Sequence, residues 1–208
     1  MERSIRSATE QVLGSFSSEV LVVDDGSTDD SERVLEKFPQ VRFISLARNR
    51  GVGYASSVAL SEATGDYFMR VDSDDFLGQD AVRLLASILN ADPSVAYAHG
   101  DIRRINEETG LKDTILLDAR SRLFQFGAGV LYRREILMGI GGYDETLRNC
   151  EDLDLFLRLE KSGFVGRRVA VPLYRYHLHA SNTSKSPVRQ YLWDQVFRKN
   201  GLEPIVAG

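Results

Sequence analysis

The sequence predicts an α/β fold, an open and mostly parallel Rossmann-like sheet with helices on both faces, and three observations carry that expectation. Short apolar runs alternate with helical patterns through the first hundred residues, which is the signature of βαβ units. Asp29 and Glu32 have the spacing of a capping box directly after Asp24-Asp25-Gly26-Ser27, marking a helix start behind a strand end. Acidic residues collect at strand ends and helix starts, where open α/β sheets hold their ligands.

The elements follow in order. Residues 1–13 read as a helix, 19–23 as a strand, 29–37 as a helix and 41–46 as a strand. Residues 52–63 form the next helix, 66–71 a strand, 79–90 a helix and 95–99 a strand. Beyond residue 100 the pattern loosens: 111–117 and 123–131 read as strands or extended loops, the second interrupted by Gly127 and Gly129. Residues 151–161 regain helical periodicity, with Leu153, Phe156, Leu157 and Leu159 on an apolar side and Asp154, Arg158 and Lys161 expected in water. A strand at 169–176 and a weakly helical stretch at 190–199 complete the chain.

At 208 residues and 43% hydrophobic content the chain can bury one core, so a single domain is expected. Within it the regular pattern covers about 1–100, the looser part about 101–185, and a tail 186–208. The net charge of -4 gives no general attraction for nucleic acid or anionic lipid, so an anionic ligand must be held locally. Cys150 is the sole cysteine, which rules out an intrachain disulfide and points to the cytoplasm. No apolar run approaches the roughly 20 residues that span a bilayer, which leaves at most peripheral membrane association.

Three acidic clusters stand out: Asp24-Asp25, Asp72-Ser73-Asp74-Asp75 and Glu151-Asp152. Any one of them alone fits an ordinary turn or helix cap. Carboxylates at 72 and 74 on an extended segment project to one side, and such oxygen ligands suit Mg or Mn. A divalent cation there would neutralise a phosphate-bearing substrate, and the residues by themselves take the reading no further.

The ordered set Val22-Val23-Asp24-Asp25-Gly26-Ser27, Asn49-Arg50-Gly51, Gly65-Asp66-Tyr67 and Asp72-Ser73-Asp74-Asp75 resembles the motifs of family 2 glycosyltransferases. Gly141-Gly142-Tyr143-Asp144, Glu151-Asp152 with Arg158 behind it, and the late segment 176–184 with His179 extend the resemblance over about residues 1–185. The resemblance implies the GT-A fold and metal-dependent, inverting transfer of a sugar from a nucleoside-diphosphate donor, most commonly UDP-linked, to a saccharide or lipid-linked acceptor. It assigns Asp25, with Asp24 beside it, to the nucleotide base, Asp72 to the ribose side, Asp74 and His179 to the metal, and Asp152 to the role of base. Glu151 and Gly142 fall on the acceptor side, and Tyr174 and Tyr176 read as packing residues.

The sequence departs from that pattern in three places. The strand that opens the family's domain has no counterpart before the helix at 1–13, a difference of about ten to fifteen residues. The open strand edges would then be covered by residues 204–207 or by a second copy, and a homodimer is the expectation. Ser56-Ser57 stands where relatives carry Arg-Asn, which weakens the donor site, and His177 stands where many carry arginine.

Other classes fit less well. Gly51-Val52-Gly53 lacks the third glycine of a dinucleotide fingerprint, with Ser56 in its place. A nucleotidyltransferase would carry a Gly-rich phosphate loop with a basic residue after its first strand. A non-catalytic relative that binds a partner or glycan is the alternative from a different class. The segment 189–193 lacks the arginine of processive synthases at its place, so transfer of a single sugar is expected.

Overall fold

A computed structural model describes residues 1–29, 31–180, 182 and 189–203. The elements are α1 (Glu2–Thr9), β1 (Leu21–Asp24), α2 (Ser31–Leu35), β2 (Arg42–Ser45), α3 (Val52–Glu62), β3 (Tyr67–Met69), β4 (Phe76–Leu77) and α4 (Ala81–Ala91). They continue as β5 (Val95–Asn106), β6 (Lys112–Ile115), α5 (Arg120–Leu123), β7 (Val130–Arg133), α6 (Arg134–Gly139), α7 (Glu151–Lys161), β8 (Val165–Leu178) and α8 (Arg189–Lys199).

The α/β class is as expected, but the pairing is mixed rather than mostly parallel. β1 and β2 form a parallel pair of their own, and the other strands form a sheet in the order β3-β7-β5-β8-β4 with β6 beside β5. Among the described residues of that sheet β5 and β8 run parallel, and the β3–β7, β5–β7, β4–β8 and β5–β6 pairs are antiparallel. The mixture arises in the second half, where β6 and β7 run back against β5, and β8, reached through α6 and α7, returns parallel to it.

Among the described residues, β1 is paired only with β2 and β3 only with β7, so one edge of each is open. Both edges line a cavity of about 1250 Å³ that also receives Ile5 and Ala8 of α1 and Ala55 and Ala59 of α3. Glu19 ties the starts of the two segments together, accepting from the backbone N–H groups of Thr64 and Gly65. Their carboxyl ends, at Asp24 and Asp72, open into the same cavity. Residues 204–207, a candidate cover for these edges, lie outside the described residues.

The core lies between the larger sheet and α4, α7 and α8. Leu85 and Leu89 of α4, Tyr132 of β7, Leu155 and Phe156 of α7 and Phe197 of α8 are all buried there. Residues 123–131 are a correction to the expected extended segment: α5 ends at Leu123, turns follow, and the strand begins only at Val130. Phe124 and Ala128 bury themselves in those turns, so apolar content reads as a strand where the chain is in fact bent.

α7 occupies the expected residues, but Asp154 is not in water. It is fully buried, accepting from Arg158 Nε at 2.7 Å, Lys199 Nζ at 2.7 Å and Asn200 Nδ2 at 3.1 Å. Lys199 at the end of α8 and Asn200 just after it reach Asp154, so α8 packs on part of the side that periodicity assigns to solvent, while Lys161 stays exposed. A helix apolar on both sides is one enclosed between layers.

Candidate active site

The site forms where β1, β3 and α7 present their acidic ends to one cavity. α7 begins with Glu151, Asp152 and Asp154 in its first turn, where carboxylates complement unpaired backbone N–H groups. The residue before it, Cys150, has φ 62 and lies in the left-handed region that non-glycine residues rarely adopt. That turn sends Glu151 and Asp152 inward, to side-chain exposures of 6% and 16%.

Arg70, directly after β3, meets them. Its Nη1 donates to Glu151 Oε1 and its Nη2 to Asp152 Oδ2, both at 2.7 Å. Its Nε lies 3.0 Å from Asp72 Oδ1 but off the N–H axis, so that contact is an ion pair without a hydrogen bond. Burial works against the charge on Arg70, yet the carboxylates of Asp152, Asp72 and Glu151 outweigh it and hold the guanidinium protonated.

Asp152 has one oxygen held and one free. Oδ1 is buried and has no hydrogen-bond partner, which is costly for a carboxylate oxygen unless a ligand meets it. Burial pushes its carboxyl up to about 8, against the opposing pull of Arg70. Gly127 makes the room: a Cβ there would stand 1.8 Å from Asp152 Cγ.

The second acidic element turns at Asp72, whose carbonyl accepts from the Asp75 N–H and the Ser4 hydroxyl. Tyr174 Oη contacts the Asp72 N–H at 3.2 Å, a buried packing tyrosine with a polar task, and Tyr176 packs edge-on against Phe126. Asp75 points the other way, accepting from the His177 N–H at 2.7 Å, while His177 Nδ1 lies 2.8 Å from Glu107 Oε1.

Asp74 Oδ2 and His179 Nε2 meet at 2.8 Å at the end of β8. That contact is a hydrogen bond with Nε2 aimed at the carboxylate, so the two groups would hold a Mg or Mn ion only with the ion in place of that contact. Among the described residues no cluster of three or more His, Cys, Asp or Glu side chains is placed to hold a metal. A cation held here would have to take water and substrate phosphate as its remaining ligands. Residues 183 and 184, which close the late motif, lie outside the described residues.

At the β1 end, Asp24 accepts from the Ser27 N–H at 3.1 Å. Asp25 receives the N–H groups of Arg50 and Gly51 at 2.8 and 2.7 Å, so it pins the loop that leads into α3. Both line the cavity with Asp72, Asp74, Glu151 and Asp152, whereas Gly142 and His179 are not in its lining. Gly142 is buried, its carbonyl accepting from Arg158 Nη2. Ser56 is buried in the cavity wall, and Ser57 donates to the Tyr143 carbonyl.

Sequence reasoning missed Arg70. The signal was an arginine between Met69 and Val71 at the end of an apolar strand, a place where a cation persists only if carboxylates meet it.

Acidic strand ends facing an acidic helix start across one cavity is the arrangement expected of a GT-A fold, and the solved structures this chain resembles share that fold. Residues 1–143 match the family model described as Glycosyl transferase family 2, and the chain belongs to that family. It is 32% identical over 200 residues to the chondroitin synthase of Escherichia coli, covering 88% of this chain and 27% of that protein. To the hyaluronan synthase of Pasteurella multocida it is 30% identical over 202 residues, covering 88% of this chain and 20% of that one. The chain thus spans about a quarter or less of these relatives. Among solved structures it resembles S. aureus TarS, with TM-score 0.74 and 20% identity over 95% of this chain and 36% of that one. It also resembles the mannosyltransferase PcManGT of Pyrobaculum calidifontis in complex with GDP-Man and Mn2+, with TM-score 0.71 and 21% identity over 95% of this chain and 59% of that one. Among the described residues no helix is long and apolar enough to cross a membrane.

Proposed function

We propose that the chain transfers one sugar at a time from a nucleoside-diphosphate donor, UDP-linked, to a hydroxyl of a saccharide or lipid-linked acceptor, with inversion at the anomeric carbon. The observation that carries this reading is Asp152 Oδ1: buried, unpartnered, and facing the cavity that the donor-side aspartates share. Asp152 accepts the acceptor hydroxyl proton on Oδ1 as the hydroxyl oxygen bonds to the anomeric carbon and the bond from that carbon to the diphosphate oxygen breaks. A single displacement from the face opposite the leaving group inverts the centre.

Burial raises the Asp152 carboxyl to about 8 and makes it a stronger proton acceptor than an ordinary carboxylate, so turnover rises with pH through that range as the group ionises. Asp24 and Asp25 flank the nucleotide base and Asp72 the ribose, while Glu151 and the Gly142 turn shape the acceptor side. Asp74 and His179 would hold Mg or Mn, which supplies charge neutralisation for the leaving diphosphate. Mn in the PcManGT complex and UDP in a complex of TarS 1–349 support the metal and donor classes by analogy of fold.

The test is nucleoside diphosphate release from UDP-glucose, UDP-N-acetylglucosamine and GDP-mannose with Mn and mixed oligosaccharide acceptors. Release by the wild-type chain, lost in Asp152→Asn, is expected. Thermal stabilisation by UDP with Mn, abolished in Asp74→Ala, is expected beside it. Stabilisation that Asp74→Ala retains would refute the metal assignment. No release from any donor, with nucleotide binding intact, would favour the non-catalytic reading.

The open edges of β1 and β3 favour one further proposal, a homodimer in which a second copy covers them. Sedimentation of a folded monomer at micromolar concentration would overturn it.

A further inference from the structure

We infer that Arg70 is the positioning residue of this site: its forked guanidinium fixes the Asp152 carboxylate so that Oδ1 is the oxygen offered to the acceptor, and couples it to Asp72 on the donor side. The inference rests on Asp152 as the proton acceptor and adds how that carboxylate is aimed.

Arg70 itself is anchored, because its carbonyl accepts from the Gly129 N–H at 2.9 Å. Its side chain is only 13% exposed and reaches both halves of the site, Asp72 behind β3 and Glu151 with Asp152 on α7. With Nη2 on Oδ2 and Nη1 on Glu151, the plane of the fork sets the rotation of the Asp152 carboxylate. Oδ1 is left over on the side where Gly127 supplies space. Without the cation, three carboxylates would share an enclosed region, and Asp152 would turn away from Glu151 or take up a proton. An ammonium group lacks the planar fork and cannot hold both α7 carboxylates in this way.

As the acceptor proton reaches Oδ1, Asp152 becomes neutral and its ion pair with Arg70 weakens. Arg70 keeps Glu151 and Asp72, so its charge stays paired through the step. Arg70 thus touches the groups on either side of the reaction without giving or taking a proton.

The test compares wild type, Arg70→Ala, Arg70→Lys and Asp152→Asn in nucleoside diphosphate release from the donor panel, with the affinity for UDP and Mn measured on the same samples. Arg70→Ala is expected to lose roughly 10²-fold in kcat, the cost of a catalytic group displaced by about 1 Å, with UDP affinity and donor KM within a few-fold of wild type. Arg70→Lys should recover little of that loss. Added guanidinium chloride at non-denaturing concentration should restore turnover to Arg70→Ala and leave Asp152→Asn unchanged. If Asp152→Asn is inactive while Arg70→Ala keeps its kcat, or if Arg70→Ala loses UDP affinity as far as it loses kcat and guanidinium restores nothing, Arg70 has no positioning role. If Asp152→Asn remains active, or the wild-type chain turns over no donor, the underlying reading fails and this inference with it.

Discussion

Alanine at position 127 would place its Cβ 1.8 Å from Asp152 Cγ and 2.1 and 2.2 Å from the two carboxylate oxygens. Carbon atoms pack at about 3.5 Å or more, so relief requires the carboxylate to retreat by about 1.7 Å. That shift is larger than the 1 Å error that costs about 10²-fold in rate, and it would stretch the 2.7 Å contact with Arg70 beyond hydrogen-bond range. Gly127→Ala should therefore lower kcat by at least about 10²-fold, and overpacking should cost about 1–3 kcal/mol of stability. Affinity for UDP with Mn should stay near wild type, because Asp25, Asp72 and Asp74 are untouched. The assay is nucleoside diphosphate release against donor concentration, with thermal shift by UDP and Mn as the control for folding. Gly127→Ala turnover within three-fold of wild type would refute the reasoning, since a methyl group cannot share that space with a working Asp152.

Other expectations follow from the same contacts. Lys199 and Thr146 hold the Asp144 carboxyl down to about 2 against the effect of burial. A depressed carboxyl contributes stability above its unfolded value and loses it as pH falls through the folded one, so about 2 kcal/mol should vanish between pH 4 and pH 2. Urea unfolding of Asp144→Asn against wild type should show that limb flattened. Asp154→Ala removes a fully buried carboxylate from beneath Arg158, Lys199 and Asn200, and should cost about 3 to 5 kcal/mol in urea unfolding. His179→Ala should raise by about ten-fold the Mn concentration needed for half-maximal stabilisation by UDP. An unchanged Mn requirement would remove His179 from the metal site.

Much of this architecture was legible in the sequence, and the misses have physical causes. Helix 151–161 could be read residue for residue, because its acidic first turn and basic last turn agree with its apolar spacing. Asp154 was misread as solvated because its partners Lys199 and Asn200 lie at and just beyond the end of another helix, far away in sequence. α6 and the two-residue β4 escaped notice, since neither is long enough to display a period. The acidic residues of the site could be found one by one, but the cation that organises them could not be picked out by acidic spacing. Arg70 looks like one basic residue among 26, until β3 and α7 come together around it.

Cys150 gives the molecule a built-in reporter. It is the sole thiol in the chain, it is buried, and it occupies the left-handed turn from which α7 sets out. A buried thiol reacts with a maleimide only while its surroundings open, so the ratio of its labelling rate to that of free cysteine measures the free energy of that opening. The opening so measured is that of the few residues that aim Asp152, read without acceptor, donor or turnover.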